Sequence, residues 1–189
     1  MERLKLVRPS MEYMQDGIDY INEHYLYNSP INGVGGLNRY LNDYQGWLDK
    51  LDNDMVDPGR DRVRALTYYL VRESDNRIVG MINIRLELNQ RLLNCGGNIG
   101  YGIRPSERRK GYNKINLYLA LCVCYEYGLK EVLLDCDISN VGSRKTMEAL
   151  GGILLKEYYD EEEGMCLKYK IDVPKSLKKY YNLYNQNRE

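Results

Sequence analysis

Ile103-Arg104-Pro105-Ser106-Glu107-Arg108-Arg109-Lys110-Gly111-Tyr112-Asn113 is the stretch on which the reading of this chain turns. On its N-terminal side, Asn98–Arg104 reads as a strand, and Gly100-Tyr101-Gly102 within it points to a bulge or to a close approach of something to the backbone. On its C-terminal side, Asn113–Tyr127 reads as a helix that is apolar around most of its circumference (Ile115, Leu117, Leu119, Leu121, Val123) and closed by Gly128. A helix of that kind is expected to be buried against a sheet. Between strand and helix stand three consecutive cations and a glycine. Free amides at a helix N-terminus, the helix dipole and the charges of Arg108, Arg109 and Lys110 make an anion site suited to a diphosphate. A solvated basic turn is the competing reading.

Outward from this stretch the pattern alternates. Arg3–Arg8 is a short strand stopped by Pro9, and Ser10 caps a helix carrying Met11, Met14, Ile18, Ile21 and Tyr25 at helical spacing. Asn28-Ser29-Pro30 breaks it, Gly33-Val34-Gly35-Gly36 is a flexible loop, and a second helix is expected from Leu37 to about Leu51, followed by a polar loop over Asp52–Asp61. Arg64–Arg72 and Arg77–Leu88 flank Ser74-Asp75-Asn76 as an antiparallel hairpin. Beyond the central helix, Glu131–Asp135 is a short buried strand, and Ser139 or Asn140 caps a helix ending at Leu150. Ile153–Tyr159 and Met165–Ile171 form a last hairpin around a solvated acidic turn, Glu161–Glu163. The order β-α-α-β-β-β-α-β-α-β-β predicts a single α+β domain over residues 1–172: a mixed, mostly antiparallel sheet, parallel around one central helix, with flanking helices. A polar tail or helix follows at 173–189, with Lys175, Lys178, Lys179 and Arg188 against Glu189, and packs on the domain or on a second copy in a homodimer.

Composition removes several function classes. In 189 residues, 27 Lys+Arg balance 27 Asp+Glu, which argues against a nucleic-acid binder despite Arg108–Lys110 and the tail's Tyr180, Tyr181 and Tyr184. No apolar run is long enough for a membrane span, and Met1-Glu2-Arg3-Leu4 lacks a signal-peptide core, so a cytoplasmic protein is expected. Five cysteines without a Cys-x-x-Cys pair fit a reduced compartment and no zinc. The one histidine, His24, excludes multi-histidine metal sites and weakens any Ser-His-Asp proposal, so no metal is expected. There is no P-loop, and no strand precedes Gly33–Gly36 to make it a dinucleotide loop. The aromatic inventory is unusual: nineteen Tyr, one Trp and no Phe, so almost every ring carries a hydroxyl that needs a partner.

With these residues in view, the chain resembles the GCN5-related N-acetyltransferase (GNAT) family, and Gly96–Gly152 is especially like a bacterial subgroup of predicted acetyltransferases. The family loop, Gln/Arg-x-x-Gly-x-Gly/Ala after a strand, is matched by Arg108, Gly111 and, with a departure, Asn113; Ile103 stands five residues upstream. Asp137–Ser143 followed by Leu150-Gly151-Gly152 resembles the Asn-x-x-Ser/Ala block that opens the next helix in such enzymes, and the likeness covers about Leu4 to Ile171. It implies the GNAT fold and acetyl-CoA as donor, with the pantetheine between strands splayed at Gly100–Ile103 and Glu131–Asp135. The pyrophosphate would be held by Arg108, Arg109, Lys110, Gly111, Tyr112 and Asn113, and Asn140 and Ser143 would face the pantetheine or the acetyl end.

The resemblance also implies direct attack by a primary amine of a small molecule, peptide or protein, without a covalent enzyme intermediate. Relatives often carry a Tyr acid four residues after the Ser143 position; here that residue is Met147, which has no proton to give, and Tyr101 or Tyr169 would take its place. Asp137 is the candidate base, acting through water, or else the cap of the following helix. Asp49, Asp52, Asp54 and Asp57 either draw a cationic acceptor or simply belong to a soluble loop. Met147 and Asn113 also motivate an alternative, a non-catalytic acyl-CoA-binding or regulatory module on the same fold.

Overall fold

The computed structural model describes residues 2–185. Strand β1 (Leu4–Val7) leads through a 3-10 turn into helix α1 (Met14–Leu26); a single 3-10 turn, Leu37–Arg39, precedes α2 (Tyr44–Val56). The hairpin β2 (Ala65–Arg72) and β3 (Arg77–Arg85) is followed by a one-turn helix α3 (Gln90–Asn94), then β4 (Ile99–Ile103) and the long α4 (Tyr112–Glu126). β5 (Glu131–Asp137), α5 (Val141–Ala149), β6 (Ile153–Asp160), β7 (Gly164–Asp172) and α6 (Val173–Tyr184) complete the chain. Arg188 and Glu189, which figured in the charge of the tail, lie outside the described residues.

Two antiparallel sheets result. One has the order β1-β2-β3-β4, the other β5-β7-β6. Alternation along β2 decides the layers: Leu66 and Leu70 join the clusters around α4, whereas Tyr69 and Val71 pack with Tyr20, Ile21, Leu37 and Trp47 under α1 and α2. Helix α4 is buried by both sheets, through Leu117, Tyr118, Ala120 and Leu121 against Ile82, Ile84, Val132, Leu134 and Ile171. Its near-complete apolarity has that cause. Helix α6 lies across α4, with the Tyr118 and Tyr184 rings 5.3 Å apart.

The expected parallel step is a splay and not a ladder. β4 pairs only with β3 and β5 only with β7. The sheets touch at a bridge between Gly97 and Leu134, next to which Asn98 acts as a clamp. Its N–H donates to Leu133 O (2.7 Å), its Oδ1 accepts from Leu133 N (2.9 Å) and its Nδ2 donates to Arg85 O (3.1 Å). Beyond this clamp the strands part.

Two local expectations are corrected and one either-or is resolved. The helix expected over Leu37–Leu51 is broken, because Asp43 Oδ1 accepts from Gly46 N (3.0 Å) and starts α2 afresh. The apolar spacing runs through the break because Leu37, Tyr44, Trp47 and Leu51 all enter one core. The loop expected from Asp52 is helical to Val56, and within it Asp54 is buried between Lys50 Nζ (2.6 Å) and Arg62 Nη2 (2.8 Å). Finally, β4 pairs with β3 in unbroken register, so its glycines serve the close approach and not a bulge: a Cβ on Gly33 would come within 2.5 Å of Gly100 O.

Candidate active site

The basic loop is built as a cradle. After β4, a 3-10 turn (Pro105–Glu107) and the extended Arg108 deliver the chain to Arg109, held at φ 65, and then to Gly111 at φ 82, the N-cap of α4. A left-handed arginine is uncommon and signals a constrained backbone. A Cβ on Gly111 would meet nothing within 4 Å, so the space in front of α4 is open. The amides of Tyr112 and Asn113 have no partner among the described residues and are the orphan donors of the helix start.

The three cations are not equivalent. Arg108 is committed to the fold: its Nε donates to Ile103 O (3.2 Å) and its Nη2 to Ser29 Oγ (2.6 Å). Lys110 bonds Glu107 (2.7 Å), a buried carboxylate also held by Arg72 (2.8 Å). Burial alone would push that carboxyl up, but the Lys110 and Arg72 bonds outweigh it and hold it below the usual range. Arg109 has no hydrogen bond or ion pair among the described residues.

Deeper between the sheets, the Tyr101 hydroxyl crosses from β4 to α5 and lies 2.8 Å from Ser143 Oγ. Burial pushes the Tyr101 phenol well above its ordinary range, so it stays protonated. Ser143 is set in place by Asn140, whose Oδ1 accepts from Ser143 N (3.0 Å) and caps α5. The structure therefore brings Tyr101, Ser143 and Asn140 together. Tyr169 stands apart at the other end of α5, donating to Glu148 Oε1 (3.0 Å), its phenol pushed up to about 12, chiefly by burial. Met147 is wholly buried in the core. Asn113 turns its Nδ2 to Thr146 Oγ1 (3.3 Å) and leaves its Oδ1 buried without a partner.

Asp137 is exposed at the end of β5, where Oδ1 accepts from Ser139 N (2.6 Å) and from the Ser139 hydroxyl. Those two bonds hold its carboxyl below the usual range. His24 is buried, its Nδ1 donating to Tyr20 O (2.9 Å), and burial lowers its basicity. No group of three or more His, Cys, Asp or Glu among the described residues is placed to hold a metal. No helix among them is long and apolar enough to cross a membrane.

On the opposite face of β4 opens a cleft of about 1160 Å³, walled by the segment 31–40, by Lys50 and Asp54 of α2, by Arg85 of β3, by α3 and by the β6–β7 turn. Of the four aspartates singled out in sequence only Asp54 lines it. Asp49 bonds Gln45, Asp52 faces Arg8 and Asp57 takes the Gly59 amide. The acidic turn Glu161–Glu163 forms part of its rim. Arg85 and the Gly33 backbone were not read from the sequence as site residues; an arginine amid the alternating apolar residues of a strand was the one available signal.

A family model described as an acetyltransferase (GNAT) domain matches residues 33–153. Mycobacterium smegmatis RimJ, in complex with CoA-disulfide, is similar in structure with a TM-score of 0.71 at 15% identity, over 95% of this chain and 92% of that one. The microcin self-immunity acetyltransferase MccE, in complex with acetyl-CoA and AMP, gives 0.65 at 16% identity, over 90% and 92%. A spermidine N-acetyltransferase SpeG chimera from Vibrio cholerae and hSSAT gives 0.62 at 13% identity, over 93% and 99%. No curated protein matches the chain.

Proposed function

The chain belongs to the GNAT acetyltransferase family, and on that premise we propose that it moves the acetyl group of acetyl-CoA to a primary amine by direct attack. The observation that carries the donor is the cradle at the start of α4. Left-handed backbone at Arg109 and Gly111, an unpaired guanidinium and two orphan amides meet the chemistry of a diphosphate. Two similar structures hold coenzyme A or its acetyl ester, which supports the same reading. Arg109 and the amides of Tyr112 and Asn113 would hold the diphosphate, with Gly111 giving the close approach and Lys110 adding charge. Arg108 acts from behind, fastening the loop to Ile103 and Ser29. The bound donor supplies a thioester carbonyl activated for attack.

Ser143, presented by the Asn140 cap at the mouth of the splay, donates a proton to the departing thiolate and is backed by the Tyr101 hydroxyl at 2.8 Å. The ammonium of the acceptor first loses a proton to water in the open cleft. Its lone pair then forms the N–C bond as the C–S bond breaks. The nitrogen gives up its second proton to water, the thiolate leaves as thiol with the Ser143 proton, and solvent restores that proton to Ser143. Asp137, with both Ser139 donors on one oxygen, shapes the β5–α5 turn in this reading.

Calorimetry with acetyl-CoA and thiol release over a panel of amines test it. Micromolar donor binding and amine-dependent thiol release are expected. Donor binding without turnover of any amine would leave only the acyl-CoA-binding module, and no donor binding at millimolar ligand would refute both.

A further inference from the structure

The face of β4 turned away from Tyr101 carries no side chain at Gly100, and two nitrogen donors converge on the space this leaves. A Cβ placed on Gly100 would lie 3.6 Å from Arg85 Nη2 and 3.6 Å from Gly33 N. The guanidinium is anchored through its other nitrogen: Nη1 donates to Gly96 O (3.0 Å) and to Gly97 O (2.9 Å). Nη2 and the Gly33 amide have no partner among the described residues. Arg85, Gly33 and the neighbouring Asn83 all line the acceptor-side cleft. Asp135 lies near enough to favour the charge of Arg85, yet burial dominates and lowers its basicity. Two unpartnered donors within 3.6 Å of the point a Gly100 side chain would occupy, one of them on a half-buried cation, make a seat for an oxygen atom.

We propose that this seat binds the carbonyl or carboxylate oxygen next to the reacting amine, and that the acceptor is accordingly the α-amine of a peptide or amino acid and not a polyamine. The inference rests on the acetyl-transfer reading above and deepens it. Gly100 adjoins Tyr101 in β4, so the seat lies across the strand from the Tyr101–Ser143 pair. An α-amine carries an oxygen acceptor two carbons from the nitrogen, the spacing that a donor pair beside the attack point can read. A polyamine has no oxygen to offer and would bring its own positive charges against Arg85. A simple alkylamine would leave two donors desolvated and unpaired, the situation in which polar sites discriminate best. The volume of the cleft accommodates more than one residue, and its rim carboxylates Glu161 and Glu163 suit basic side chains further along a peptide.

Thiol release from acetyl-CoA is compared for an alanyl-lysyl-lysine amide, free alanine, 2-aminopropane and spermidine. The α-amino acceptors are expected to exceed 2-aminopropane and spermidine in kcat/KM by about a hundredfold. The ratio of peptide to free alanine tells a peptide carbonyl from a carboxylate. Arg85→Lys keeps a charge but loses the fork, and should lower kcat/KM about tenfold more for the peptide than for 2-aminopropane. Unaltered coenzyme A binding by that variant shows the fold intact, and Arg85→Gln repeats the comparison without charge.

Equal use of spermidine and peptide would overturn the inference, as would an equal loss with every acceptor on Arg85→Lys, which would place the seat on the thioester instead. Absence of turnover with every amine would refute the acetyl-transfer reading. The seat is then judged by calorimetry of the peptide on the coenzyme A complex, where binding weakened by Arg85→Lys supports it and no binding rejects it.

Discussion

The Tyr101 hydroxyl and Ser143 Oγ lie 2.8 Å apart, tying the last strand of one sheet to the first turn of the helix that follows β5, the first strand of the other. Burial keeps the phenol protonated throughout the working pH range, so the pair presents a proton that does not titrate away. Ser143→Ala is expected to lower kcat by about a hundredfold, within the range for loss of a general acid, with KM for acetyl-CoA little changed. Tyr101→Phe should lose about tenfold, and the double variant no more than Ser143→Ala, since the two hydroxyls act in series. Steady-state thiol release measures all three. A double variant much worse than either single one would show independent roles.

Arg108 and Arg109 are neighbours with opposite fates, one bonded to the fold and one free. Arg109→Ala is predicted to weaken coenzyme A binding about tenfold at low salt, less at high salt, with the melting temperature unchanged. Arg108→Ala should instead lower stability by about 1–2 kcal/mol through its bonds to Ile103 and Ser29. Calorimetry and thermal melts separate the two.

Asp54 is enclosed by Lys50 and Arg62 at the wall of the cleft beside β4. Its side chain is only 6% exposed, and Asp54→Ala leaves Lys50 with Gly35 O alone and half-exposed Arg62 with water, so it should cost about 1–2 kcal/mol in urea unfolding. Asp54→Asn, which can still accept hydrogen bonds, should cost less.

His24 gives the stability a pH dependence of known sign. Burial lowers its folded-state basicity, with Glu23, Arg104 and Arg108 as the charged groups that also act on it. As pH falls, the unfolded chain takes up the proton first. The contribution is therefore complete above about pH 6.5 and is lost as pH drops below that value. Urea midpoints of the wild type should fall between pH 7 and 5, and His24→Gln should show the shallower slope.

The order of strands and the position of α4 were legible because Ile103–Asn113 packs a strand end, a cation run and a helix start into eleven residues, each with a local signal. The break at Asp43 was not, since hydrophobic spacing reports which residues enter a core and says nothing of a helix that stops and restarts on the way. Tyr101 and Ser143 each stood out in their own segments, but forty-two positions separate them and only the fold makes them a pair. Arg85 and Gly33 were scarcely legible for a related reason. A backbone amide has no sequence signature, and an arginine near a strand end ordinarily faces water. The unequal status of Arg108, Arg109 and Lys110 depends on Ser29 and Glu107, partners that a cluster of like charges does not reveal.

Trp47, the sole tryptophan, donates its indole N–H to Gly35 O (3.1 Å), two residues beyond the Gly33 amide, and its ring packs beside Tyr44 and Tyr69. The molecule thus contains its own optical probe. Light absorbed by its many phenols funnels to one indole whose emission colour answers to the α1–α2 loop. Filling the cleft beside β4 will shift that emission, whereas a ligand confined to the α4 cradle will leave it steady, so a fluorimeter can tell the two sites apart without a label.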